Sequence, residues 1–248
     1  MEHLLRATAR AEARHFWFRG FRHFVAPLLS RAAGGRRDLR LLDCGCGTGN
    51  NLALLDQFGR AFGFDLTAVG LRIGRESGRR RLARATVTAV PFPDQAFDIV
   101  SSFDVLYSLA APDEHAAIQE MYRVLKPGGA LIVNVAAMES LRGDHSVLSR
   151  EVRRYSRRSL RAALERGGFT VERLTYTNAV LYPAMALARA LQRARGLSGE
   201  EQADQEITVP SAPVNAALSA ALWLESRWLR VVDNPVGSSL LCLARKPG

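Results

Sequence analysis

An apolar run that ends in an acid and opens into alternate glycines, LLDCGCGTGN (41–50), constrains this chain more than any other stretch. Glycines in that pattern let a strand turn sharply into a helix and leave backbone N–H groups at the turn, ready for a polar or anionic ligand. A tight turn without any ligand is the plainer alternative. The dinucleotide fingerprint G-x-G-x-x-G, counted from Gly45 and Gly47, needs a glycine at position 50, where Asn50 stands. A phosphate loop of the form G-x-x-x-x-G-K-[ST] needs a lysine, and none follows. Both phosphate-loop readings fail on position.

The rest of the chain alternates short apolar runs with helical ones, the pattern of a parallel sheet covered on both faces. Strands are expected at 39–44, 60–65, 84–89, 97–103 and 130–136, with a helix at 50–58, another running from Leu66 to Arg75, and a third at 114–125 stopped by KPGG. Beyond them come a polar, Arg-rich stretch (138–158), a helix at 157–168, a strand at 169–176 and a last strand at 237–246. Residues 177–235 break the alternation with two helical runs around a polar connector.

Composition narrows the class. A formal charge of +10 would ordinarily raise nucleic acid as a partner. Here the excess comes from 32 Arg and two Lys spread over an Ala- and Leu-rich chain, so no dedicated patch is read from it. Cys44, Cys46 and Cys242 form neither a metal-ligand pattern nor an even disulfide set, and no metal is expected. The longest uncharged apolar stretch, 179–188, is half of what spans a bilayer, and the start of the chain has no export signal, so a cytoplasmic protein is expected.

Four blocks stand at matching intervals: Asp43-x-Gly45-x-Gly47-x-Gly49, Asp65 ending the second strand, VTAVPFPDQAFDIV (87–100) and RVLKPGGALIV (123–133). Together they strongly resemble the class I S-adenosylmethionine-dependent methyltransferases. HFWFRG (15–20), His145 with Arg153-Arg154-Tyr155, and N-A-x-L-Y-P at 178–183 further resemble a bacterial branch acting on small molecules, its substrates mostly unassigned. Two departures stand out: Thr86-Val87 replaces an expected Asp-Ala, and Tyr107 stands where many relatives have His.

The resemblance implies an α/β, Rossmann-like fold: a seven-stranded mixed sheet in the order 3-2-1-4-5-7-6, last strand antiparallel, flanked by helices. An N-terminal helical cap (1–37) would precede a methyltransferase domain (38–248) that includes a helical lid or insertion at about 177–235. It implies S-adenosyl-L-methionine as cofactor, S-adenosyl-L-homocysteine as product, and a site over the carboxyl ends of the first two strands. Gly45, Cys46, Gly47, Gly49 and Asn50 would meet the methionine portion, with Asp43 orienting the loop and Asp65 and Leu66 at the ribose. Thr88, Ala89, Val90 and Phe103 would line the rest. Trp17 and Arg19, or Arg14, would close over the cofactor; the same aromatics could instead dock a helix on the sheet.

The implied reaction is in-line displacement by a substrate O, N or C on the sulfonium methyl, with a small-molecule acceptor, apolar or acidic. His145, Tyr107 and Asp104 are the candidates for removing a proton, each with a plain structural role also open: surface loop, packing and helix cap. Arg150, Arg154, Arg157 and Arg161 form a helical stripe that either meets an anion or is a solvated face. The insertion is read as a lid or a homodimer face; membrane contact is the weaker reading because Glu225 interrupts its apolar run. An RNA or tRNA methyltransferase, or a protein that binds the cofactor without transferring its methyl, are the alternatives. SSFDVLY (101–107) lacks the [DN]-P-P-[FY] turn of base-amine methyltransferases, so nucleic acid is the less favoured partner.

Overall fold

In LRLLDC only Arg40 is exposed, and Leu39, Leu41, Leu42 and Cys44 are buried, as a parallel strand covered on both faces requires. The computed structural model describes residues 9, 11–143, 146, 151–195 and 209–248. Its elements are α1 (Phe16–Ala33), β1 (Leu39–Cys44), α2 (Leu52–Leu55), β2 (Gly59–Asp65), α3 (Ala68–Glu76), β3 (Leu82–Arg84) and β4 (Phe97–Phe103). Then follow α4 (Ala111–Val124), β5 (Leu125–Ala136), α5 (Arg157–Arg166), β6 (Thr170–Thr177), α6 (Tyr182–Arg195), α7 (Ala212–Trp228) and β7 (Ser239–Arg245).

The seven strands form one sheet in the expected order, β3-β2-β1-β4-β5-β7-β6, with β7 antiparallel to both neighbours. One face packs Leu41, Ile99 and Ile132 against Phe24, Val25, Leu28 and Leu29 of α1. The other packs Leu42, Val100 and Leu131 against Ile118 and Met121 of α4 and Leu160 and Leu164 of α5. Each such side chain withdraws enough apolar surface to contribute roughly 2 kcal/mol.

Three expected elements are corrected. The third strand, expected at 84–89, is Leu82–Arg84. The Thr86 and Thr88 hydroxyls bond each other at 2.9 Å, and Ala89 N–H returns to the Thr86 carbonyl at 3.2 Å; these local bonds outcompete a ladder. The helix expected over 50–58 shrinks to Leu52–Leu55, because Asp56 turns its carboxylate to the Ala61 N–H (3.0 Å) and leads the chain into β2. KPGG is not a bare stop: Leu125 already pairs with Phe97, 126–129 bulge out, and pairing resumes at Ala130 with Ile99.

The insertion closes back on the N-terminal helix. Leu222 of α7 is fully buried over Gly20 of α1, so near that a Cβ at position 20 would lie 2.4 Å from Leu222 Cδ1. Asn215 accepts from Phe16 N–H (2.8 Å) and donates to the Arg14 carbonyl (2.9 Å). His15 caps α1, its Nδ1 accepting from Trp17 N–H.

Candidate active site

Gly45, Gly47 and Gly49 have φ of +79°, +56° and +74°, the left-handed region that favours glycine. This coil places the amides of Gly45 and Cys46 on the Phe64 carbonyl, both at 2.9 Å, and the amide of Gly47 on Asp65 Oδ2 at 2.8 Å. The loop after β1 is thereby fastened to the end of β2. Asp65 Oδ1 accepts from the Thr67 N–H (2.8 Å) and from the Thr67 hydroxyl.

Behind the loop, Asp43 is buried and accepts from Ser101 Oγ at 2.7 Å. Burial, and next the Asp65 carboxylate, push its carboxyl up to about 7, against the Ser101 hydrogen bond. Ser101 was not singled out in the sequence; it becomes visible once β1 lies beside β4, which pairs Asp43 with Ser101. On the loop's far side the Thr48 hydroxyl donates to Glu12 (3.0 Å), so the segment before α1 touches the glycine loop directly. Burial raises the Glu12 carboxyl.

Asp104 follows β4 at φ +60°, strained for a non-glycine residue. Two bonds to one β5 residue hold it there: its N–H donates to the Asn134 carbonyl and its carboxylate accepts from Asn134 Nδ2, both at 2.9 Å. Removal of bulk water by the surrounding protein, then the Glu151 carboxylate, lifts its carboxyl to about 7, although the residue keeps an open surface to solvent.

Not all the expected residues face this edge. Asn50 accepts from Arg79 (3.0 Å), and Cys46 is buried, its sulfur 2.8 Å from where a Cβ on Gly63 would lie. Val90 is in the core and its N–H goes to Glu120. Phe103 packs edge-on against Phe21, and Tyr107 is buried under 151–153, its carbonyl accepting from Val152 and Arg153. Leu66, Thr88 and Ala89 stand at the carboxyl ends of β2 and β3 and are at least partly open; Trp17 is half-buried and Arg19 exposed. His145 and Arg150 lie outside the described residues.

Of the expected arginine stripe, Arg154 and Arg157 are tied into the fold, while Arg161 lies on a solvated face. Arg154 is nearly buried, paired with Glu151 (2.8 Å) and bonded to the Ala137 carbonyl. Arg157 lies over the Tyr176 ring and reaches the Asn234 carbonyl, and Arg161 pairs with Glu165. Arg153 pairs with buried Glu114, which also accepts from the Tyr155 hydroxyl. Residues 151–155 are thus sewn across the ends of β4 and β5.

A glycine coil tied to the acid of the next strand, at the carboxyl edge of a 3-2-1-4-5-7-6 sheet, defines a class I methyltransferase domain. Residues 42–133 match the family described as "Methyltransferase domain", and they are a domain of the S-adenosylmethionine-dependent, class I kind. Over 112 residues the chain is 36% identical to the ubiquinone/menaquinone biosynthesis C-methyltransferase UbiE of Pectobacterium carotovorum, a match covering 41% of this chain and 44% of that protein. The chain thus spans less than half the length of that relative. Two solved structures share the fold. The [4+2]-cyclase SpnF has a TM-score of 0.57 and 24% identity over 91% of this chain and 80% of its own. Phosphoethanolamine N-methyltransferase 2 of Haemonchus contortus, in complex with S-adenosyl-L-methionine, has 0.56 and 19% over 90% and 52%.

The donor set suits that cofactor. Its ribose presents two hydroxyls that need acceptors, and a carboxylate offers about four lone-pair sites. Asp65 has used one on Oδ2 and two on Oδ1, so its carboxylate keeps a lone pair that would suit such a hydroxyl.

Proposed function

We propose that the chain transfers a methyl group from S-adenosylmethionine to a small, apolar acceptor by in-line displacement. The observation that carries this reading is the Gly47–Asp65 tie, which assembles the loop and the ribose acceptor as one unit at the sheet's carboxyl edge. The cofactor, when bound, supplies an electrophilic methyl on a sulfonium. The protein's part is to position the acceptor and to receive its proton. Asp104 is the base: it is open to solvent, rigidly held by Asn134, and its carboxyl is poised near neutral pH. An apolar acceptor is favoured by the name of the UbiE relatives, whose pathway products are quinones, and by Phe21, Phe103 and Leu181 beside this edge.

Nucleic acid is the less favoured acceptor, because 101–107 lacks the [DN]-P-P-[FY] turn and several arginines spend donors within the chain. Arg37, Arg81, Arg123, Arg153, Arg154 and Arg245 all donate to backbone carbonyls. Binding without methyl transfer is the other reading, since the fold is shared by a cyclase. Calorimetry with S-adenosylmethionine, S-adenosylhomocysteine and NAD, followed by radiolabelled methyl transfer into a lipid extract and into total RNA, separates the three. Tight binding of the sulfonium with label in the lipid fraction is expected. Binding of NAD alone, or label in RNA alone, would overturn the proposal.

A further inference from the structure

Glu225 is the single acid in 212–232, and it does not interrupt the outer face of α7. It is turned inward, 7% exposed, accepting from the N–H groups of Ala179 (2.9 Å) and Val180 (3.1 Å) and from Asn234 Nδ2 (2.8 Å). What remains outside is apolar: Trp223 at 47% exposure, Leu224 at 60%, Trp228 at 59% and Val231 at 85%. On α6 and its entry the outward positions are Val180, Pro183, Ala184, Leu187, Ala188 and Leu191, spaced by three and four. Such a stripe ordinarily faces a core. Here it faces water on two helices, and Glu225 joins the root of one to the last turn of the other.

We infer that this face rests on the surface of an anionic lipid bilayer. Exposed apolar area of this extent marks an interaction site rather than a solvated one. Tryptophan suits the bilayer interface, its ring apolar and its N–H wet. Arg227, 6.0 Å over the Trp223 ring, and Arg230 are exposed beside these side chains. Asp233, just past the helix, is paired with Arg173 at 2.8 Å. Among the described residues the face therefore combines apolar side chains with cations, and its one exposed acid nearby, Asp233, is neutralised by Arg173. A second copy meeting it about a twofold axis would bring the same arginines together, whereas anionic headgroups neutralise them.

The root of α6 follows directly on β6, whose Thr177 lies at the carboxyl edge of the sheet, the edge that carries the glycine loop. Docking there would bring that edge to the membrane surface, where an apolar acceptor is dissolved. The membrane contact itself does not depend on methyl transfer and is tested without cofactor.

The test is cosedimentation of the full chain with vesicles of phosphatidylcholine alone and of phosphatidylcholine with phosphatidylglycerol, with tryptophan emission recorded in parallel. Binding to the anionic vesicles on the order of tenfold tighter, weakened by salt and accompanied by a blue shift, is expected. Leu224→Ser with Trp228→Ser should abolish binding to both lipids, while Arg227→Ser with Arg230→Ser should erase only the anionic preference; circular dichroism confirms that both variants fold. No pelleting with either vesicle overturns the inference. So does a wild-type dimer in sedimentation velocity that Leu224→Ser converts to monomer, because a second copy then covers the face.

Discussion

Gly47 and Asp65, eighteen positions apart in the chain, meet through one 2.8 Å hydrogen bond from the glycine amide to the carboxylate. The residue proposed to bind the ribose also holds the loop proposed to bind the methionine portion, so disturbing one disturbs both.

Asp65→Ala should therefore weaken S-adenosylmethionine more than loss of a single ribose contact would. Two charge-assisted bonds at about 1.5–3 kcal/mol each predict a loss of at least 100-fold in calorimetry. Thr67→Ala, which frees Oδ1, should leave affinity unchanged or raise it. An Asp65→Ala affinity within threefold of wild type would remove this residue from the site.

The buried Asp43 carboxyl makes stability depend on pH. Its folded value, about 7, lies above the unfolded one, so between about pH 4 and 7 the folded state binds more protons than the unfolded state. Its contribution is full below that window and is lost as pH rises through it, by up to about 4 kcal/mol. Urea titrations at pH 5 and 8 should show Asp43→Asn much less sensitive than wild type over this range. Equal pH slopes would refute a buried, late-ionising Asp43.

If Asp104 receives the acceptor's proton, kcat/KM should rise with pH and level off above about 7, where its carboxyl is ionised. Asp104→Asn should lower kcat by about 100-fold or more and abolish that inflection, with cofactor affinity unchanged. Retention of the inflection in the variant assigns the proton transfer elsewhere.

The α1–α7 contact can be read by a double-mutant cycle. Gly20→Ala gains about 1 kcal/mol of helix propensity, but its methyl collides with Leu222, an overpacking worth about 1–3 kcal/mol. The single change should destabilise. Placed on Leu222→Ala, which opens a cavity, the same change should stabilise. Additive effects in thermal unfolding would mean that the two helices do not meet at this point.

How much of this was legible in the sequence differs from element to element. The alternating apolar and helical runs suffice to anticipate an α/β sheet, because glycine conformation and burial of apolar strands are local properties, whereas the strand order and the cofactor edge came through the resemblance of four blocks to a family. The shift of the third strand to Leu82–Arg84 also has a local cause, since the hydroxyls of Thr86 and Thr88 bond each other over a separation of two residues.

Other features depended on partners distant in the chain. Asn134 holds Asp104, Ser101 holds Asp43, and Arg154 and Arg157 are taken up by Glu151, the Asn234 carbonyl and the Tyr176 ring. Glu225 is the sharpest case. In sequence it breaks an apolar run; in the fold it reaches Ala179 and Val180, more than forty positions earlier, and leaves that run unbroken toward solvent. The sequence by itself determined which residues could turn, pair or be buried. Only the tertiary structure decided which way each polar side chain points, because a buried carboxylate or guanidinium must find a partner, and that partner is supplied by the packing of distant elements.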